Sequence, residues 1–392
     1  MTMMVLLSLA HWLAFVLCSA AALYAVCAAV AMPRLGSRAA IRAVAQRAQQ
    51  AALPPVSVLK PLCGAEPRLY ENLATFCTQT YPDFQLLCGV SSMDDPAIGV
   101  VKRLQAAYPQ RDIELVVDAR IHGSNRKVSN LMNLAAHAKH ELIVLADSDI
   151  AVEPDYLRVV TTPLGDPRTG VVTCLYRARG IGGFWPQLGA LFINEWFAPS
   201  VRVAHMIGSR EFGFGATLAL RRATLESIGG FAALKDCLAD DYMLTHHVRD
   251  HGLATALSPM LVDTDVTEST LHALWQRETR WLRTIRSVNG MGFLSLPITF
   301  PSPWLVLGAA LAWWPRLGFM GGTAGLEMGA VTCAGIIARV VLHARGCSGW
   351  REFWRTLPMV PVRDGLLLLQ WFAAAFGSHV VWRDTYLAVS NY

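Results

Sequence analysis

The sequence is short of charge. Asp, Glu, Lys and Arg make up 16% of its 392 residues, while 53% are hydrophobic. Ordinary soluble domains carry about 25% charged residues. The shortage is concentrated: from Val5 to Ala31 there is no Asp, Glu, Lys or Arg. At about 1.5 Å per residue such a run spans a bilayer with room for tilt. It is longer than a secretory signal core and lacks the basic residue that precedes one, so an anchor is expected in preference to a cleaved leader. Paired cysteines are missing too. The nine cysteines (Cys18, Cys27, Cys63, Cys77, Cys88, Cys174, Cys237, Cys333 and Cys347) form no C-x-x-C. That excludes a disulfide framework and a cysteine zinc site, and fits a reducing compartment. The net charge of +5 is mild. Lying near apolar spans, the basic residues suit anionic lipid headgroups and give no reason to expect nucleic acid. There is no internal repeat, no low-complexity tract, and no evident Ser/His/Asp or Cys/His arrangement for nucleophilic catalysis.

What is present falls into three parts, expected at 1–53, 54–295 and 296–392. Arg34, Arg38, Arg42 and Arg47 follow the first span, which by the positive-inside rule puts the next domain in the cytoplasm. Residues 32–53 read as a juxtamembrane helix ended by Pro54 and Pro55. From Val56 onward, strand-like runs (Val56–Leu59, Phe84–Val90, Ile113–Val117, Leu142–Ala146, Val171–Tyr176) alternate with helical candidates near 66–79, 97–107, 126–139 and 155–163. Alternation of this kind predicts βαβ units, an α/β fold with a mostly parallel, Rossmann-like sheet. The aromatic segment 184–208 carries Glu195 and Arg202, so burial against the sheet or in the interface is expected. Residues 213–220 read as a further strand and 222–228 as a short helix. Candidate spans follow at 303–319, 322–342 and 364–382, with Trp313, Trp314, Trp350, Trp354 and Trp382 where an interfacial belt would lie. Arg339 and Glu327 within them must face protein or water, or snorkel.

Four constellations could carry chemistry. The stretch ELIVLADSDIAVEPDY (141–156) is an apolar run that stops at Asp147, Ser148 and Asp149. Carboxylates at the carboxyl end of a buried strand must be solvated, hydrogen-bonded or metal-bound, and ligands of open α/β sheets bind at that edge. Mg²⁺ or Mn²⁺ suits such hard oxygens and could bridge them to a diphosphate. A solvated strand-to-loop junction is the plainer alternative. Lys60 ends the first strand, and Ser92, Asp94 and Asp95 follow the second, at the same edge. A nucleotide's base or ribose could bind there, or the two acids could simply cap a helix that has Pro96 in its first turn. Lys127 opens a helix, favourable for phosphate or merely solvated. Asp240 and Asp241 open another in LADDYMLTHHVRDHG, either as an ordinary acidic first turn or as a general base. Finally, Arg277, Arg280, Arg283 and Arg286 recur every three residues with Trp281 beside Arg280, a spacing that keeps neighbours in the series on one helical face.

Taken in this order, D-x-D, an acidic pair and Arg-x-x-Arg-Trp resemble a family 2/21-type GT-A glycosyltransferase. The resemblance runs through VSVLKPLCG, ENLATFCTQTYP, DDPAI, NRKVSNLM, LADSDI, GGFAALKDCLADDYML and RETRWLRTIR, covering about residues 55–290 plus the tail WRDTY. It is similar to the ceramide glucosyltransferases and to their bacterial relatives in hopanoid biosynthesis. The resemblance implies that Asp147 and Asp149 hold a metal and the nucleotide diphosphate. It implies that Asp241 is the base, and that Arg277, Arg280 and Trp281 serve the diphosphate and acceptor side. Relatives often place an acid at the position of Ser92, so the nucleotide contact stays open between Ser92 and Asp94 or Asp95. Ceramide enzymes tend to carry Gly where this chain has Asp149, which resembles the hopanoid branch more. The expectation is therefore an inverting multi-pass enzyme of the bacterial inner membrane. It would move N-acetylglucosamine from its UDP-sugar donor to a bacteriohopanepolyol; UDP-glucose and ceramide are the alternative. A processive polysaccharide synthase shares Arg-x-x-Arg-Trp but needs more spans, and a lipid transporter or nucleotide-sugar sensor would not need the full set of acids.

Overall fold

The computed structural model describes residues 2–32, 53–313, 323–377, 379–382 and 385–388. Arg34, Arg38, Arg42, Arg47 and the juxtamembrane helix expected around them lie outside the described residues, as do Trp314, Pro315, Arg316 and the centre of the WRDTY tail. The elements begin with α1 (Thr2–Ala31), β1 (Val56–Pro61), α2 (Leu69–Cys77), β2 (Phe84–Val90), α3 (Ala97–Ala107), β3 (Asp112–Val117) and α4 (Arg126–Ala135). Next come β4 (Leu142–Leu145), β5 (Ile150–Ala151), α5 (Tyr156–Thr161), β6 (Thr169–Gly180), α6 (Phe184–Leu191), a π-helix (Phe192–Phe197) and α7 (Ala198–Met206). Then follow β7 (Leu218–Arg221), α8 (Arg222–Ser227), α9 (Asp240–Asp250), β8 (Ala254–Val266), α10 (Leu271–Val288), α11 (Gly290–Ser295) and α12 (Pro301–Trp313). The described chain closes with α13 (Thr323–Gly346), α14 (Trp350–Thr356), α15 (Met359–Phe376), β9 (His379–Trp382) and β10 (Thr385–Ala388).

The chain divides into two compact units. One, the sheet unit, comprises residues 38–179 and 209–267. Its eight strands run in the order β3-β2-β1-β4-β7-β6-β8-β5. The first four are parallel, β1 pairing with both β2 and β4 and β2 with β3, as the alternating pattern predicts. From β7 onward the sheet turns antiparallel: β7 against β4 and β6, and β5 against β8. Strands β1, β2 and β4 are buried along their length apart from Pro61, the reason they read as continuous apolar runs. Leu59, Leu87, Ile143 and Leu218 pack against Val128, Leu131 and Leu134 of α4 and Leu244 and Val248 of α9. Fully burying each such side chain contributes about 1.5–3 kcal/mol.

Two differences from the sequence expectation arise here. The strand expected over 213–220 is confined to Leu218–Arg221, preceded by an isolated bridge between Phe214 and Thr217. The reason is that Gly215 is already engaged: its N–H donates to Asp241 and its carbonyl accepts from the N–H of Asp147. Strand β8 was not expected at all. Its burial alternates along ATALSPMLVDTDV, yet Pro259 and the acids Asp263 and Asp265 in the run argue against a strand by composition.

The other unit, largely helical, comprises residues 1–37, 180–208 and 268–392. Among the described residues three helices are long and apolar enough to cross a membrane: Ser8–Ala31, Gly325–Gly346 and Met359–Phe376. The chain is a membrane protein. The span expected at 303–319 is instead the 13-residue α12, about 20 Å long and short of a bilayer by itself. It joins the helical stretch Gly290–Thr299 at a 48° bend, and the pair could make a fourth, broken span. The span expected at 364–382 starts earlier, at Met359, and residues 379–382 are strand β9. Cys18, Ala22, Leu305 and Met328 form the contact of α1, α12 and α13. A Cβ on Gly308 would lie 2.6 Å from Cys18 Sγ, so the close approach there requires glycine, as in small-residue membrane packing. The aromatic segment 184–208 belongs to this unit and not to the sheet unit, because Glu195 finds its partners Arg339 and His343 on α13.

Candidate active site

The D-x-D pair sits where the sheet edge opens. β4 ends at Leu145, and Asp147 and Asp149 occupy the short connection to β5. Asp147 Oδ1 pairs with Lys127 Nζ at 2.7 Å, and the Asp147 side chain is 37% exposed. Asp149 Oδ2 accepts a 2.5 Å hydrogen bond from Thr264 on β8, while its carbonyl accepts from Asn72 at 3.2 Å. Burial, and then the Asp147 charge two residues away, push the Asp149 carboxyl up to about 6. Beneath the pair, Lys60 at the end of β1 is fully buried, donates to the Asp147 carbonyl and lies 4.1 Å from the centre of the Phe76 ring. Its burial pulls the ammonium pKa down to about 8, against the opposing pull of Asp149 and Asp147.

Lys127 is the second residue of α4, whose start is capped by Asn125 accepting from the N–H of Val128 at 3.1 Å. Its ammonium also reaches Asp240 at 3.4 Å. Burial alone would lower the pKa of Lys127, but Asp147, Asp240 and Asp241 outweigh it and raise it. Asp240 is held further by Asn125 Nδ2 at 3.3 Å. Asp241, next in α9, accepts from the Gly215 N–H and from the Tyr242 N–H, both at 2.8 Å. Burial, then the charge of Asp240, push Asp241 up to about 6, with Lys127 and the two N–H groups opposing. A Cβ at Gly215 would lie 2.7 Å from Asp147 Oδ2 and 2.9 Å from Lys127 Nζ, so any larger residue there would displace this ion pair. Lys60, Lys127, Asp147, Asp149, Asp240 and Asp241 are thus brought together from four segments of the chain.

The nucleotide candidates after β2 behave differently. Ser92 and Asp94 are exposed, and Ser92 Oγ accepts from the Asp94 N–H at 3.2 Å. Both oxygens of Asp95 accept from Gly64 N at 3.1 Å, and one also accepts from Ala97 N at the start of α3 at 2.9 Å. Asp95 therefore does the capping foreseen as the plainer alternative for this acid pair.

Arg277, Arg280 and Trp281 lie on α10 in the helical unit. Arg277 Nη1 pairs with Glu268 at 2.6 Å and its guanidinium lies 5.6 Å from the Trp281 ring centre. Its Nε and Nη2 are buried and, among the described residues, have no hydrogen-bond partner. Such orphaned donors cost about 1–3 kcal/mol each unless something fills them, and a ligand oxygen is the natural filler. Arg286 does not share this role: it donates to the carbonyls of Ala374, Ala375 and Gly377, closing the end of α15. The last carbonyls of a helix have no intrahelical partner, and Arg286 is taken up in satisfying them.

Sequence reasoning missed the ladder that steadies Asp149. Arg177 pairs with Asp263 at 2.6 Å, and Arg179 with Asp263 at 3.6 Å and with Asp265 at 2.9 Å. Asp265 also takes Arg68 at 3.2 Å and Asn72 at 3.0 Å. Alternate residues of β6 and β8 project to one face, so these pairs meet only when the two strands are neighbours. The available signal was the period-two spacing of Arg177 with Arg179 and of Asp263 with Asp265, in a stretch left without assignment.

A sheet edge presenting two acids spaced as D-x-D, and a second acidic pair opening a helix beside them, is the arrangement of a GT-A glycosyltransferase. The profile of Glycosyl transferase family 21 matches residues 13–391, and the chain belongs to that family. Ceramide glucosyltransferase 1 of Caenorhabditis elegans is 28% identical over 232 residues, 59% of this chain and 50% of that protein. The ceramide glucosyltransferase of Pyricularia oryzae is 35% identical over 116 residues, 26% of this chain and 23% of its own length. The chain thus spans half the length, or less, of these curated relatives. A mannosyltransferase of Pyrobaculum calidifontis in complex with GDP-Man and Mn2+ aligns over 91% of this chain and 97% of its own, at 20% identity and a TM-score of 0.49.

Proposed function

We propose that the protein transfers glucose from UDP-glucose to the primary hydroxyl of a ceramide-like membrane lipid, with inversion at the anomeric carbon. Two lipid acceptors were left open by the resemblance, and ceramide is the one the matched relatives carry in their names. The hopanoid reading with UDP-N-acetylglucosamine receives no such support. The observation that carries the chemistry is Asp241: a half-buried carboxylate held by two backbone N–H groups, close to Asp147 and raised toward neutrality. A base with a pKa near the working pH is efficient because it is both ionised and able to accept a proton in the transition state. Asp241 takes the proton of the acceptor hydroxyl as its oxygen bonds to the anomeric carbon. The bond from that carbon to the diphosphate breaks, and UDP leaves. Lys127 holds Asp147 and Asp240 in place and keeps local positive charge beside the base. Lys60, Ser92 and Asp94 are proposed on the donor side, and Arg277, Arg280 and Trp281 on the diphosphate and acceptor side. The two unpaired nitrogens of Arg277 support the latter.

Asp147 and Asp149 fit a divalent cation. They are hard oxygen donors two residues apart at the open sheet edge, and the Asp147 charge adds to burial in raising the Asp149 carboxyl. No group of three or more His, Cys, Asp or Glu able to hold a metal occurs among the described residues. When bound, Mg²⁺ or Mn²⁺ there would neutralise charge on the departing diphosphate. The domain 54–295 is proposed to face the cytoplasm, supported by the arginines at 34, 38, 42 and 47.

The test uses the full chain in nanodiscs with two pairs of substrates, UDP-glucose with ceramide and UDP-N-acetylglucosamine with bacteriohopanetetrol, plus a free oligosaccharide. Glucosylceramide formation that stops in excess chelator and returns with Mn²⁺ is expected. Product only from the second pair would move the enzyme to the hopanoid branch. Equal transfer to the soluble sugar would defeat the lipid reading, and full turnover in chelator would remove the metal.

A further inference from the structure

The helix that carries Trp281 is met by a structural irregularity that the proposed function does not use. Between α6 and α7 the chain makes a π-helical turn, Phe192–Phe197, FINEWF. In an α-helix of 3.6 residues per turn, residues five apart point about 140° away from each other. In a π-turn, with i to i+5 hydrogen bonding, they return to nearly the same face. Phe192 and Phe197 are five apart, and both meet one ring. The Phe192 and Trp281 centroids are 5.5 Å apart with an interplanar angle of 73°, and those of Phe197 and Trp281 are 5.8 Å apart at 63°. Both are edge-to-face contacts inside the favourable 4.5–7 Å range. A regular α-helix over the same six residues would turn one of the two phenylalanines away.

The π-turn is itself tied down from its opposite side. Glu195, buried in its middle, accepts from His343 Nδ1 at 2.8 Å and pairs with Arg339, both on the membrane helix α13. Arg339 also pairs with Asp364 of α15 at 3.1 Å. Trp196 donates from its indole N–H to Thr299 Oγ1 at 2.8 Å and packs edge-on against Phe300. On α10 itself, Glu278, three residues before Trp281, pairs with the fully buried Arg363 at 2.9 Å, and the Arg363 guanidinium lies 5.6 Å from the Phe192 ring centre. The ring of Trp281 is gripped by the π-turn, and the backbone beneath it is held by the same membrane helices.

We propose that the π-turn is a positioning device: Phe192 and Phe197 clamp the indole of Trp281, and Glu195 fixes the clamp to α13. The three are positioning residues for Trp281 rather than residues that touch substrate. The proposal rests on the reading that Trp281 serves the substrate site. Its consequence is that the orientation of a substrate-binding side chain is set by the membrane helices, so that disturbing the clamp lowers turnover without removing any group that contacts substrate.

The experiment labels the full chain in nanodiscs with 5-fluorotryptophan, assigns the Trp281 resonance by its loss in Trp281→Phe, and compares Phe192→Leu, Phe197→Leu and Phe197→Tyr. Both leucine variants are expected to shift or broaden the Trp281 resonance and to lower kcat/KM by up to about tenfold, the upper scale of one lost aromatic pair. Phe197→Tyr, which keeps the ring, should preserve both. An unmoved Trp281 resonance in both leucine variants overturns the clamp. A moved resonance with unchanged turnover, while Trp281→Ala is inactive, overturns the positioning role and leaves the site reading intact. Normal turnover in Trp281→Ala brings down the site reading and the positioning role together, and the resonance alone then decides whether the indole is clamped.

Discussion

The two units each gather charged side chains, and they treat them in opposite ways. In the sheet unit, Asp147, Asp149, Asp240, Asp241 and Lys127 are half-buried, with more carboxylates than cations, and the carboxyls of Asp149 and Asp241 are pushed up to about 6. In the helical unit, Glu195, Glu278, Arg339, Arg363 and Asp364 are buried to 5% exposure or less, and each acid touches an arginine, Arg339 serving both Glu195 and Asp364 and Arg363 serving Glu278. A charge inside apolar helices is tolerable only when it is paired and hydrogen-bonded. A charge at a sheet edge can stay under-neutralised because water reaches it, and that residual imbalance is what a cation or a proton can use.

The sharpest way to break this contrast is Asp241→Asn. Transfer should fall by about a thousandfold or more, at the scale of losing a general base, while UDP binding measured by calorimetry and the melting temperature stay close to wild type. Near-normal turnover would take the base role from Asp241 and pass it to Asp240.

Asp364→Asn should do the reverse. Breaking a buried pair costs about 3–5 kcal/mol, so the melting temperature in detergent should drop by many degrees, and any loss of activity should follow the loss of folded protein. A melting curve unchanged from wild type would mean the buried network is not what holds the helices.

The pH profile separates the two kinds of charge next. Asp241 has its pKa raised by burial and by Asp240. Its ionised, proton-accepting form is therefore present above about pH 6 and is lost as the pH falls below it. The acid limb of kcat/KM should lie near 6, about two units above an ordinary aspartate. A limb near 4 would show that the raised pKa does not survive in the working enzyme.

The smallest effect is expected at Asp95. Because it holds Gly64 and the first turn of α3, Asp95→Ala should cost about 1 kcal/mol of stability, as for a lost cap, and leave the KM for donor within twofold. A large rise in KM with unchanged stability would restore Asp95 as a nucleotide ligand.

Much of the site was legible because its chemistry is local in sequence. Asp147 and Asp149 announce themselves where an apolar run ends, and Asp240 with Asp241 where an amphipathic stripe begins. Which member of each cluster stays free was not legible. Asp95 and Ser92 look equivalent in the string, and only the position of Gly64 assigns Asp95 to a cap. Arg277 and Arg286 belong to one periodic stripe, yet Arg286 closes α15 while two nitrogens of Arg277 remain unpaired.

By itself the sequence determined the alternation of buried strands and helices, the apolar spans, and the order of the acidic and arginine motifs. These follow from composition and period within short windows, where each residue's preference is set by its neighbours. The tertiary structure alone decided the antiparallel half of the sheet, the ladder from β6 to β8 that steadies Asp149, and the π-turn around Trp281. Those depend on pairs such as Arg177 with Asp263 and Phe197 with Trp281, 86 and 84 residues apart. Their energies come from contact across space, and no local period records it.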